Sequence, residues 1–231
     1  MSTRTSLLPP PPPRPPVRVL AVAAAMAAGA ALPVIRTWML HFGATEAELD
    51  ARLPGDELIP SPDLEATRVV GIAAAAEDVW PWVAQLGQGR GGFYSYDCLE
   101  NLVGCDIRSA DRVEPQWQDV QVGDPFRLHP QVALEVVAVD PGRALVVRGA
   151  VGPTGATAAT AGPAAAPPYD FTWAFVLRRG RDGGTRLLVR ERYGYTRRGA
   201  ALLVEPVAVI SFVMTQKMLR GLRDRAERAA A

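Results

Sequence analysis

Cysteine and histidine are almost missing from this chain, with two of each in 231 residues. Cys98 and Cys105 make no disulfide framework and lack zinc-site spacing. On one helix they would lie roughly 10 Å apart, too far to bridge, so they read as small buried apolar side chains. An excess of one charge is missing too: 25 Lys and Arg face 24 Asp and Glu, a formal +1, with a pI near 7.8. That leaves no electrostatic case for nucleic acid as a partner. Hydrophobic residues make up 48% and charged residues 21%, a balance that excludes a wholly disordered chain. The length suits one domain with a sizeable core plus an appendage, or two small domains.

Proline is plentiful and clustered. Residues 1–16 include LLPPPPPRPP, which forms neither helix nor central strand and reads as a disordered, polyproline-II tail. Residues 17–40 read as a hydrophobic helix, uncharged from Val19 to Ile35. Three readings of this run stay open: a transmembrane anchor, a signal sequence, or a helix packed on the domain. As an anchor it would be single-pass in the cell membrane. Arg4, Arg14 and Arg18 would keep the N-terminus inside and the domain outside, with Arg36 opposing. A secreted or a cytoplasmic protein follows from the other two. Residues 41–66 read as a linker with one short helix, capped by Thr45 and carrying Glu46 and Glu48 in its first turn. The domain is expected over 67–231.

Gly87, Gly89 and Gly92 match G-x-G-x-x-G, with Asp111 and Glu114 about twenty residues on, the outline of a dinucleotide fingerprint. That motif works between a strand and the helix after it, where the helix N-terminus meets pyrophosphate. Here Thr67–Ala74 is the strand, and Val79, Trp82, Val83 and Leu86 form a helical stripe that ends at Gly87. The glycines follow a helix, so no dinucleotide is expected. FYSYDCLENLVG reads as a second short helix ending at Gly104, and DIRSADRVEPQWQDVQVGD as irregular. FRLH, ALEVVAVD and RALVVRGA read as strands, and residues 149–168 as a low-complexity mobile loop. YDFTWAFVLRR and RLLVRERYGY form a hairpin with Phe171, Trp173, Phe175 and Leu177 on one face. A long helix closes the chain, with Pro206 at its first position and Leu203, Val207, Ile210 and Met214 on one face. Glu205 and Pro206 make it a poor second span and a better cover for a sheet.

Strand, helices, consecutive antiparallel strands and a long terminal helix make an α+β pattern. A sheet curved around such a helix leaves a cavity between them. The blocks VWPWVAQLG, GRGGFYSYD and LEN, with LPGDEL upstream and MTQKMLRGLRDRAE downstream, resemble the SRPBCC family of the START/Bet v 1-like helix-grip superfamily, in a largely uncharacterised bacterial branch. The resemblance covers about Gly43 to Glu227. It implies a curved antiparallel sheet wrapped around the C-terminal helix. It says less about function, because lipid carriers, hormone receptors, polyketide cyclases and oxygenase subunits share that fold. His41 and His129 are too few for an iron-binding His/His/carboxylate set or a Rieske centre, so the oxygenase branch is excluded.

On this fold GQGRGGFYSYD lies beside the cavity mouth. Phe93, Tyr94 and Tyr96 can pack inward, Arg90 offers a fork for a carboxylate, and Asp97 is near. The competing role is an internal clamp: Arg90 and Arg112 paired with Asp97 or Asp111, with Glu100 and Asp106 close by, holding the irregular segment. Gln85 can hydrogen-bond a ligand or sit exposed. Glu191 shares a face with Leu187, Val189 and Tyr193; there it is either a cavity carboxyl or the ion-pair partner of Arg190 or Arg192. Trp173 and Phe175 are core or cavity wall. The expected function is the binding or carrying of a hydrophobic small molecule or lipid, tethered to a membrane through residues 19–35, with no cofactor and no metal. Two alternatives remain. One is a cyclase- or dehydratase-like enzyme using Tyr94 or Tyr96, Arg90, and Asp97 or Glu191. The other is a structural domain with a filled cavity.

Overall fold

The computed structural model describes residues 32–149 and 167–231. The expected tail over 1–16, the apolar run up to residue 31 and most of the expected loop over 149–168 lie outside them. The chain divides into two compact units, Met1–Trp38 and Met39–Ala231. Residues 32–40 are helical, and in the first unit Leu32, Val34, Ile35 and Trp38 are exposed.

The second unit is α+β. Its elements are α1 (Glu46–Leu49), β1 (Leu64–Ile72), α2 (Ala76–Ala84), α3 (Asp97–Leu102), β2 (Pro125–His129), β3 (Val132–Asp140), β4 (Ala144–Arg148), β5 (Tyr169–Arg179), β6 (Thr185–Tyr195) and α4 (Ala200–Ala230). Six antiparallel strands form one curved sheet in the order β1-β6-β5-β4-β3-β2. Every neighbouring pair except β1–β6 is consecutive in sequence; short turns join β2–β3, β3–β4 and β5–β6, and residues 149–168 join β4 to β5. Period-2 alternation sends Leu145, Val147, Phe175, Leu177, Leu187 and Val189 to the inner face. There they meet Met218, Leu219 and Leu222 of α4, along with Val79, Trp82 and Val83 of α2. This is the helix-grip architecture expected above.

The outer face is covered as well, which corrects the expected linker. Leu53 packs on Val69, Val146, Val176 and Leu188, with Ala44, Ala51 and Leu58 beside it. Residues 41–66 are therefore part of the folded unit, and β1 begins at Leu64 rather than Thr67. The fastening is Arg190, which projects from β6 onto this outer face and is buried. Its Nε donates to the Thr67 hydroxyl at 2.8 Å, and its two amino groups donate to Asp56 and to the carbonyls of Glu48, Leu49 and Ala51. Five donors in a rigid fork find five acceptors, so the charge is buried at little loss of hydrogen bonding. Sequence reasoning missed this because the acceptors are mostly backbone.

A second tie has a pH signature. Thr45 and Glu48 form a capping box on α1, and both carboxylate oxygens of Glu48 receive Arg186, at 2.8 and 2.7 Å. Chiefly through that bond, the Glu48 pKa is lowered from 4.5 to about 2. A depressed carboxylate contributes stability above its unfolded pKa and loses it as pH falls through the folded value. The thermal midpoint of the wild type is therefore expected to exceed that of Glu48→Gln at pH 6, with the gap closing between pH 4.5 and 2. A gap that stays constant down to pH 2 would overturn this.

Helix α4 departs from expectation at its start. It begins at Ala200, after Gly199 in the left-handed region, and Pro206 lies inside it. The carbonyl that Pro206 cannot serve belongs to exposed Leu202, so the missing hydrogen bond costs less there than in the core. Its buried stripe runs through Val204, Ala208, Thr215, Met218, Leu222 and Ala226, whereas Val207 and Ile210 are exposed. By length and composition α4 is long and apolar enough to cross a membrane, yet its C-terminal half is packed on the sheet.

Candidate functional site

Between the sheet and the N-terminal half of α4 lies a cavity of about 580 Å³. Phe171, Trp173 and Tyr193 line it from β5 and β6, Leu134 from β3, and Val207 and Ser211 from α4. Val103 and Cys105, just past α3, and His129 at the end of β2 complete the rim. Apolar and aromatic walls with few polar groups are the usual make-up of a small-molecule pocket. Leu128, Trp173 and Ser211 also line a smaller inner chamber of about 130 Å³, together with Phe93, Glu100 and Met218. The chamber and the cavity therefore adjoin.

The main polar feature of the wall is Glu191. β6 places it on the inner face beside Val189 and Tyr193, as alternation required, and its side chain is 2% exposed. It is paired neither with Arg190 nor with Arg192, which point to the other face. Its partner is Arg68 of β1, at 2.8 Å and 1% exposed. Ser211 and Thr215 of α4 donate to the same carboxylate oxygen at 2.6 and 3.3 Å, and Tyr193 approaches the other at 3.4 Å. Burial and the adjacent carboxylate push the Tyr193 phenol well above its ordinary pKa, so it stays a neutral donor. Arg68 was not anticipated, although the signal was present: it falls in phase with inward-facing Ala66 and Val70.

The glycine stretch is a clamp, with partners other than those expected. Gly87 and Gly92 exchange two backbone hydrogen bonds of 3.1 Å, closing a tight loop in which both have positive φ. Gln85 is fully buried rather than exposed or ligand-facing. It donates to the Tyr94 hydroxyl at 2.9 Å and to the Arg112 carbonyl at 3.1 Å, and accepts from the Glu114 amide at 3.0 Å. The Tyr94 hydroxyl donates in turn to the Trp82 carbonyl at 3.2 Å, and burial raises its pKa. Arg90 holds the carbonyls of Ala84 and Trp117 instead of a carboxylate, and burial lowers its pKa. Arg112 pairs with Glu114, Asp111 with Arg225, and Asp97 with the hydroxyl and amide of Ser109.

Structure thus separates the candidates. Glu191 and Trp173 lie on the cavity wall, and Phe93 and Glu100 in the inner chamber. Phe175 is fully buried core, in contact with the Trp173 ring at 4.7 Å. Gln85, Arg90, Tyr94, Asp97, Asp111 and Arg112 hold the irregular segment. Tyr96 is exposed and precedes α3, and Asp106 takes a positive φ without a role in the clamp. Of the cysteines, both free, Cys98 is exposed and Cys105 half-buried at the rim, so neither is the buried apolar filler expected. Cys98 lies on the outer side of α3, a helix too short to bury both faces. Among the described residues no group of His, Cys, Asp and Glu is placed to hold a metal ion.

No family model matches the chain, and no curated protein does. Solved structures resemble it in part. Hypothetical protein jhp0584 from Helicobacter pylori is 12% identical, covering 76% of this chain and 95% of that one at a TM-score of 0.45. Protein MLL2253 from Mesorhizobium loti is 15% identical, with 71% and 98% covered and a TM-score of 0.43. DynU16, a putative protein in the dynemicin biosynthetic locus, is 17% identical over 70% of this chain and 48% of that one, at 0.39. On its own strand order and helix placement, the chain is an α+β protein of helix-grip architecture.

Proposed function

We propose that this chain binds or carries a hydrophobic small molecule or lipid in the cavity between sheet and α4. The observation that carries the reading is the cavity itself, about 580 Å³ and walled by aromatic and aliphatic side chains, with its buried carboxylate neutralised by Arg68. A domain of this kind usually fills such space with its own side chains. The resemblance of the GRGGFYSYD and LEN blocks to the SRPBCC family supports the same reading. Tethering through residues 19–35 belongs with it, and the exposed Leu202, Val209, Ile210 and Val213 of α4 suit an apolar surrounding.

The alternative, a cyclase- or dehydratase-like enzyme, is favoured by one observation: Glu191 faces the cavity with hydroxyl groups around it. Tyr94 and Arg90, which it also invoked, are committed to the clamp.

Native mass spectrometry of the full chain with a neutral apolar dye such as Nile red tests the binding reading. One dye per chain is expected, with uptake at least about tenfold weaker in Val207→Trp, where the new ring meets the cavity mouth. Wild-type protein that takes up no dye, or a variant that binds as well, would overturn it. The tether predicts that the full chain sediments with membranes until detergent is added.

A further inference from the structure

The outward side of α4 carries a pattern that packing on the sheet does not explain. Leu202, Val209 and Val213 are exposed, and so are Lys217 and Arg220 further along the helix. Steps of seven, four, four and three residues keep all five on one face of a helix with about 3.6 residues per turn. Ile210 is exposed beside them. The stripe is aliphatic over roughly 16 Å and then cationic. Arg198, just ahead of the helix, is exposed as well, so cations bracket the aliphatic part at both ends. Between Arg198 and Arg220 the sequence has one acid, Glu205, and it is half-buried.

A second aliphatic face meets the same cavity. Leu99, Leu102 and Val103, on α3 and just past it, are exposed. Val103 lines the cavity from that side and Val207 from α4, and both reach the surface. Ile210 follows Val207 by one turn. The two aliphatic faces therefore flank the cavity mouth. Their make-up selects the partner. Protein interfaces centre on Trp, Tyr and Arg anchors, and from Leu202 to Val213 there are none. A lipid surface asks only for aliphatic area with Lys or Arg at its edge, where long side chains reach phosphate and keep their stems in apolar surroundings. Cations without an exposed acid among them favour anionic headgroups, each being worth about fivefold in binding.

We infer that the outward stripe of α4, with the exposed end of α3, docks the cavity mouth on an anionic lipid surface. The aliphatic side chains enter the boundary between headgroups and acyl chains, while Arg198, Lys217 and Arg220 meet the phosphates. Resting on the binding reading above, a mouth docked in this way passes an apolar ligand between bilayer and cavity without carrying it through water. The docking itself stands on the exposed faces alone.

The test uses the full chain reconstituted with nanodiscs of phosphatidylcholine, plain or with about a quarter phosphatidylserine. A nitroxide is attached at Ile210→Cys in a Cys98→Ser/Cys105→Ser background, or at Arg181→Cys in the exposed β5–β6 turn as a control. Collision with a neutral, water-soluble nickel chelate reads exposure. At position 210 it is expected to fall at least about threefold on the anionic discs relative to phosphatidylcholine, and at position 181 to be the same on both. Lys217→Ser/Arg220→Ser should return position 210 to the phosphatidylcholine level. Equal exposure of position 210 on both lipids would overturn the inference. So would shielding that survives the double substitution, since protein rather than anionic lipid would then cover the face. Nile red uptake in the same samples keeps the two readings apart. Shielding without uptake overturns the binding reading alone, and uptake without shielding overturns the docking alone.

Discussion

Replacing Glu191 by Ala is expected to cost about 3–5 kcal/mol of stability, the range for stripping one partner from a buried ion pair. For a unit of this size that is a fall of roughly 10 °C in the thermal midpoint. The reason is what stays behind. Arg68 is 1% exposed, with its Nε on the Met39 carbonyl at 3.1 Å and its guanidinium beside the Phe212 ring. Without Glu191 its charge keeps only Ser211, at 3.4 Å, as a hydroxyl acceptor. The double variant Arg68→Met/Glu191→Met should recover most of the loss, since apolar residues of similar volume replace buried pairs at little cost. Thermal melts of wild type, both single variants and the double form the cycle. A Glu191→Ala midpoint within about 2 °C of wild type would mean that water reaches the pair through the cavity.

Gly221→Ala is the second large effect. A Cβ at Gly221 would lie 2.3 Å from the Tyr94 carbonyl oxygen and 2.7 Å from the Tyr94 Cβ. The obstruction is backbone on one side and helix on the other, so neither can step aside. About 3 kcal/mol is expected, at the upper end for an added methyl in a packed core. Gly89→Ala provides the contrast. It has open space around it, so only its positive φ counts, about 1 kcal/mol. Denaturant melts that gave both variants the same loss would show that the α4–Tyr94 contact yields.

Part of this fold is legible in the sequence. Alternation puts Phe171 and Trp173 on one face of their strand and Glu191 and Tyr193 on one face of the next, because a strand leaves a side chain only two directions; the register that brings both sets to the same face comes from the pairing of Trp173 with Glu191. The dinucleotide outline failed for a reason of order alone: its glycines follow a helix. What stayed hidden depends on distance in the chain. Gln85, Arg90 and Arg190 bind mostly backbone carbonyls and amides, which carry no residue code. Arg68 and Glu191 meet from opposite ends of the domain, and an isolated arginine on a strand does not announce its partner. The stretch over 41–66 looked like a linker since its prolines interrupt every periodic pattern. Its buried apolar side chains, Leu53 and Ile59 among them, are too irregularly spaced to form a stripe.

The pairing of the first and last strands in sequence has a kinetic side. Strands β2 to β4, and β5 with β6, can zip together as hairpins with short loops, and residues 149–168 join the two sets. β1 can do nothing until β6 exists, and Arg68 and Glu191 are 123 residues apart. Such closure is paid late and slowly. During synthesis the emerging β1 must therefore wait, with its apolar face open, while more than a hundred residues follow it. The last contact made is then the one that seats the buried charge pair, so completion of the sheet and completion of the cavity wall are the same event.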